Sequence, residues 1–217
     1  MKYLNQVLFV IIIFSVISCN TDTNESEKQK NITDEQDKIS YISLSDVNAK
    51  AIRKRGATIT KVAATELSSA LKKAIKNEGA EKAILFCNNN AMKITDSLAT
   101  AENVTIRRIA IKNRNPENEV NAKESEIFTE YLMEWQDGKT LESKIAIDNN
   151  GHPVYYKPII INKKCLTCHG EPGKTMPSNI ASKIEELYPD DKAINFEDGH
   201  PRGMWAITFI NITLEKN

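Results

Sequence analysis

The chain reads as an α+β protein in which a pair of helices precedes a mainly antiparallel sheet. Three observations predict this. Apolar residues recur at helical spacing through residues 42–99. The period shortens to two from Val104 onward. The later segments are separated by polar turns and not by regular crossover helices, which argues against a doubly wound parallel sheet.

Residues 42–78 form the first expected helix, with Val47, Ala51, Val62, Leu67, Leu71 and Ala74 as its apolar stripe. Gly56 is expected to weaken or bend its middle, and Asn77-Glu78-Gly79 ends it. Residues 80–99 form a second helix, with Ala83, Ile84, Phe86, Cys87, Ala91, Ile94 and Leu98 inward. So short a turn packs the two helices antiparallel. Residues 104–111 alternate around Ile106, Arg108 and Ala110 and read as a strand. Arg114-Asn115-Pro116-Glu117-Asn118 is a polar loop, and residues 125–135 are helical. Strands are expected over 141–147, 154–161 and 203–212, with the turn Asp148-Asn149-Asn150-Gly151 closing a hairpin between the first two. A short helix over 178–187 ends at Tyr188-Pro189.

The N-terminus carries an export signal. Lys2 is a short basic region, residues 7–17 are almost wholly apolar, and Val16-Ile17-Ser18-Cys19 resembles a lipobox. About eleven apolar residues are too few to span a bilayer. Residues 1–18 are therefore expected to be a lipoprotein signal peptide, with Cys19 lipidated as the mature N-terminus; a simple cleaved or anchored signal is the other reading. Residues 19–40 are polar and read as a flexible linker, which leaves 41–217 as one folded domain. The expected location is the cell envelope, lipid-anchored at the periplasmic face or the outer membrane.

Composition bounds the function. The 217 residues are 41% hydrophobic and 27% charged, with a formal net charge of +0. Neutral balance argues against nucleic acid as a partner, because phosphate binding needs a basic excess. Nothing resembles a hydrolytic triad or a phosphate loop, so an enzyme is not expected.

Cys165-Leu166-Thr167-Cys168-His169 is the one strong chemical motif. C-x-x-C-H reads as c-type haem attachment: the thiols form thioethers with the vinyl groups, and the adjacent His lies beneath the iron. A disulfide, a thiol redox pair and half a zinc site are the alternatives. A zinc ribbon wants a second C-x-x-C, and the chain has none. Export fits haem, which is attached to apocytochromes c outside the cytoplasmic membrane. Of the four cysteines, Cys19 takes lipid, Cys165 and Cys168 take one covalent haem c, and Cys87 is left over. From the residues alone, Cys87 is a reactive thiol, a partner in a disulfide between chains, a small core residue or an iron ligand.

Several motifs in order resemble the PAS-like c-type haem domain family. They are Ala83-Ile84-Leu85-Phe86-Cys87 with Ala91, Ile106-Arg107-Arg108, Arg114-Asn115-Pro116-Glu117-Asn118, the C-x-x-C-H followed by Gly170, Tyr188-Pro189-Asp190-Asp191-Lys192-Ala193, and Gly199 with Arg202-Gly203. The resemblance covers residues 63–212. Asn195, where the family usually has Gly, and His200, where it usually has Asp, depart from it. The resemblance implies a PAS-like antiparallel sheet and a Cys87 thiolate on the iron opposite His169. Met176 stands next as a candidate, and Met92, Met133, Met204, His152 and His200 are further rivals.

Arg107, Arg108 and Arg114 suit the haem propionates, since Arg grips carboxylates bidentately. A solvated strand face explains each of them equally well. The expected function is a membrane-anchored mono-haem cytochrome that transfers electrons to an unknown redox protein. The alternative is a haem-based redox or gas sensor acting through a separate signalling partner.

Overall fold

A computed structural model of the protein describes residues 46–212. The apolar N-terminal segment, Cys19 and the linker lie outside the described residues, as do the ends of the chain beyond them.

The first helix, α1 (Asp46–Glu78), runs unbroken through Gly56. A Cβ at Gly56 would meet the Tyr155 ring, with Cδ1 at 2.6 Å. The glycine is thus a docking point for a buried tyrosine and not a break. Gly79 (φ 83) starts α2 (Ala80–Glu102), which packs against α1. Asn103 ends α2 in the left-handed region (φ 52), its N–H reaching the carbonyls of Ala99 and Thr100. That cap lets the helix outlast the expected end at 99.

Strand β1 (Thr105–Ile109) follows, then a 3-10 turn at Pro116–Asn118. Helix α3 (Ala122–Gln136) starts one turn earlier than expected because Asn121 and Glu124 form a reciprocal capping box, each side chain taking the other's backbone N–H at 2.9 Å. Strands β2 (Lys144–Ile147) and β3 (Pro153–Ile160) form the expected hairpin. Its turn is held by Asp148 Oδ1, which accepts from the N–H groups of Asn150 and His152. After a long connection containing α4 (Leu166–His169) and α5 (Ser178–Leu187), β4 (Pro201–Thr208) closes the sheet.

The four strands lie in the order β1-β4-β3-β2, all antiparallel. The expectation of an α+β chain holds. Each sheet face buries its own core. On one, Ile52, Ile59 and Ala63 of α1 meet Ile106, Tyr155, Trp205 and Ile207. On the other, Ile127, Phe128 and Tyr131 of α3 meet Ile109, Tyr156, Met204 and Ala206. Fully burying such side chains contributes about 1.5–3 kcal/mol each, so the sheet is fixed from both sides. Among the described residues, no helix is long and apolar enough to cross a membrane.

Candidate functional site

The connection from β3 to β4 carries the C-x-x-C-H motif. Asn162 accepts from Lys164 N at 3.0 Å and starts a 3-10 turn (Lys163–Cys165) that runs into the single turn of α4. Helical spacing brings Cys165 and Cys168 to one side of this turn. Both are half-buried free thiols, as is Cys87. Gly170 N closes the turn on Leu166 O at 2.8 Å. No side chain fits at Gly170, where a Cβ would lie 2.6 Å from that same carbonyl.

Residues 191–196 clasp this turn. Phe196 N donates to His169 O at 2.9 Å, and Asn195 N to Gly170 O at 3.0 Å. Asn195 has φ 62. Glycine favours that region and asparagine tolerates it better than other side chains do, so the departure at 195 preserves the loop. His169 Nδ1 lies 2.9 Å from Ala193 O. A carbonyl only accepts, so Nδ1 carries the proton and Nε2 keeps its lone pair. Burial, then the charges of Arg114 and Arg202, push the His169 pKa down to about 3. The ring is therefore neutral at ordinary pH, the form in which imidazole binds metals.

Arg114 joins the loop after β1 to this clasp. Its Nε and Nη2 donate to Asp191 Oδ2 at 3.1 and 2.9 Å, and Nη2 also donates to the carbonyls of Cys168 (2.7 Å) and Ala193 (3.3 Å). Asp191 Oδ1 in turn accepts from Ala193 N at 2.7 Å. Charge-assisted bonds of this kind are about twice as strong as neutral ones.

Cys87 on α2 belongs to the same cluster. Burial pushes its thiol pKa up, Arg108 pulls it back, Cys168 adds a further push and Arg114 a further pull. Arg108, Cys168 and Arg114 are thus near enough for their charges to act on Cys87. Tyr188 is there too, its ring 5.9 Å from the Arg114 guanidinium and its phenol raised by burial and by Cys87.

The other candidates lie elsewhere. Arg107 and Arg108 are adjacent in β1 and point to opposite faces. Arg107 faces α3, where Nη1 pairs with buried Glu124 at 2.6 Å and Nη2 donates to Glu119 O. It is thereby separated from Cys87. His200 packs edge-on against Trp135, ring centroids 4.5 Å apart, and His152 pairs with Asp148 at 3.4 Å. Met176 is fully buried among Ile84, Ile180 and Ile184. Met204 is core on the α3 face, Met133 is exposed, and Met92 is half-buried on α2.

Sequence reasoning assigned no role to Asp191, Ala193, Tyr188 or Arg202. Burial pushes the Arg202 pKa down to about 10, and its guanidinium lies 5.4 Å over the Phe196 ring. That ring meets His169 edge-on at 6.4 Å. The only signal for these residues was their place in the ordered motifs.

Chemically, the site offers two thiols and a neutral imidazole on one short turn, a third thiol from α2, and a rim of arginines. Among the described residues, no three His, Cys, Asp or Glu side chains converge into a cage for a metal ion.

The profile of the Tll0287-like family (Tll0287) matches residues 21–209. The chain is also similar in structure to one titled the cyanobacterial heme-protein Tll0287, with TM-score 0.54 and 24% identity over 75% of this chain and 98% of that one. A comparison with curated proteins gives no match.

Proposed function

The chain belongs to the Tll0287-like family, and from that premise we propose that it is a mono-haem cytochrome of c type carrying single electrons at the cell envelope. The observation that carries this reading is the His169–Ala193 hydrogen bond of 2.9 Å. It leaves Nε2 as a ready ligand beside two thiols at thioether spacing.

The residues fit a haem. Cys165 and Cys168 would tether it, and His169 would hold the iron from one side. Cys87, a half-buried thiol on α2, would hold it from the other. The buried Arg202 Nε, which has no partner, suits a group that brings acceptors. Bound there, haem supplies one-electron exchange between ferric and ferrous iron. Thiolate donation favours the ferric state, so the potential is low. Cys19 and the short apolar segment before it support lipid anchoring, with a separate redox protein as partner.

A second reading, a redox or gas sensor, is favoured by one observation: burial raises the Cys87 thiol, so a proton competes for its sulfur. Absorption spectra of the purified oxidised and reduced protein test both. A low-spin ferric spectrum that stays low-spin on reduction and ignores carbon monoxide supports the carrier. A reduced spectrum changed by carbon monoxide supports the sensor. A spectrum without haem bands refutes both.

A further inference from the structure

The outward face of α1 carries a charge that the chain as a whole does not. The 217 residues balance 29 Lys and Arg against 29 Asp and Glu. Helix α1 alone holds eight Lys and Arg against three Asp and Glu.

Helix geometry gathers these cations. At about 100° per residue, Lys50, Lys54, Lys61, Lys72 and Lys76 fall within about 80° of arc. All five are exposed. They stand opposite Ile52, Ile59, Ala63 and Ala74, which are buried. The stripe is about 39 Å long at about 1.5 Å per residue. Thr58, Thr65 and Ser68 share its arc, so neither a carboxylate nor a large apolar side chain interrupts it.

These charges find no counter-ion among the described residues. The one ion pair that α1 makes there joins Arg55, beside the stripe, to Glu102 at 3.8 Å. A helix face that only meets water usually interleaves Glu with Lys, so that residues four apart attract. Here Lys50 and Lys54, and again Lys72 and Lys76, are like charges four apart, which weakens a helix standing alone. The stripe thus works against α1 unless a negative surface meets it.

Two features say which surface. The stripe is long, straight and without apolar anchors, so it fits a plane of phosphates on which it rests without inserting. Cys19, the expected site of lipid attachment, stands 27 positions before Asp46. A chain of that length reaches less than about 100 Å even when extended. An anchored α1 therefore stays close to the membrane, and the tether raises its effective concentration there.

We propose that the lysine stripe of α1 docks on the anionic headgroups of the membrane that holds the anchor. Lysine ammonium groups meet lipid phosphates as point charges, and the attraction grows with each lysine brought to the surface. The sheet, packed on the opposite side of α1, then faces away from the lipid. The proposal takes the lipid anchor from the reading above and nothing from the haem.

The test adds the full-length mature protein, purified in detergent, to vesicles of phosphatidylcholine alone or of one-third phosphatidylglycerol. Flotation with the phosphatidylcholine vesicles reads the anchor. Lysine labelling by an amine-acylating reagent, resolved by mass spectrometry, reads the stripe. Labelling of the five lysines falls several-fold on the anionic vesicles relative to the neutral ones. Salt at about 1 M, which screens charges beyond about 3 Å, restores it. Lys139 and Lys174, exposed on other elements, label equally on both. In the triple variant Lys54→Gln/Lys61→Gln/Lys72→Gln, which keeps good helix formers on the surface, Lys50 and Lys76 lose the difference. Equal labelling of the five on both kinds of vesicle overturns the proposal. High labelling then leaves the stripe to an acidic protein, and low labelling shows that the protein itself covers it. A triple variant that keeps the wild-type difference at Lys50 and Lys76 also overturns it. Failure to float with phosphatidylcholine overturns the anchor instead, and labelling on the anionic vesicles at low and high salt still decides the stripe.

Discussion

The Nδ1 of His169 and the carbonyl oxygen of Ala193 lie 2.9 Å apart, and this bond fixes which ring nitrogen is free. The same carbonyl accepts from Arg114, and Ala193 N is held by Asp191. The orientation of one imidazole thus depends on an ion pair.

The first prediction concerns that pair. Arg114 and Asp191 side chains are only 14% and 7% exposed. Breaking a buried pair by removing one partner costs about 3–5 kcal/mol. Arg114→Ala should lose about 3 kcal/mol in denaturant unfolding of the haem-loaded protein and blur its ferric spectrum as His169 loosens. Unfolding at the wild-type midpoint would refute the network's role.

At Gly56 two effects compete. Alanine is the better helix former by about 1 kcal/mol. Its Cβ would press on the Tyr155 ring, and overpacking costs about 1–3 kcal/mol. Packing wins, so Gly56→Ala should lower the melting temperature by several degrees, at about 2–4 °C per kcal/mol. A rise in melting temperature would show that the ring moves aside freely.

Asn195 tests the loop that clasps the motif. Its φ of 62 costs a β-branched side chain about 1–2 kcal/mol. Asn195→Val should destabilise by that amount, and Asn195→Gly should stay within about 0.5 kcal/mol of wild type. Calorimetry of the two variants checks the difference; equal melting temperatures would contradict the left-handed assignment.

Cys87→Ser should convert the ferric protein from low-spin toward high-spin and raise its midpoint potential, because a hydroxyl is a poor donor beside a thiolate. Electron paramagnetic resonance of folded, haem-loaded variant and wild type reads the change. Superimposable spectra would remove Cys87 as the ligand.

The local features were legible in the sequence. Helix α5 falls at its expected residues, and the hairpin turn follows from Asp148 and Gly151. Two local signals were passed over. Asn121 followed by Glu124 is a capping box, and it sets the start of α3. Strand alternation already sends Arg107 and Arg108 to opposite faces, so a single ligand cannot use both. The rest was not local. Arg114 finds Asp191 across 77 residues, and Gly56 meets Tyr155 between separate elements. Periodicity carries no record of such pairings. Arg202 stayed hidden because an arginine near a strand end reads as solvated until its burial is known.

The central claim is that Cys165 and Cys168 carry haem covalently. The intact mass of the mature protein, made in a host with working cytochrome maturation and treated with a thiol-alkylating reagent, tests it most directly. The account predicts the added mass of one haem, with neither Cys165 nor Cys168 alkylated. A colourless protein with both thiols alkylated would contradict it.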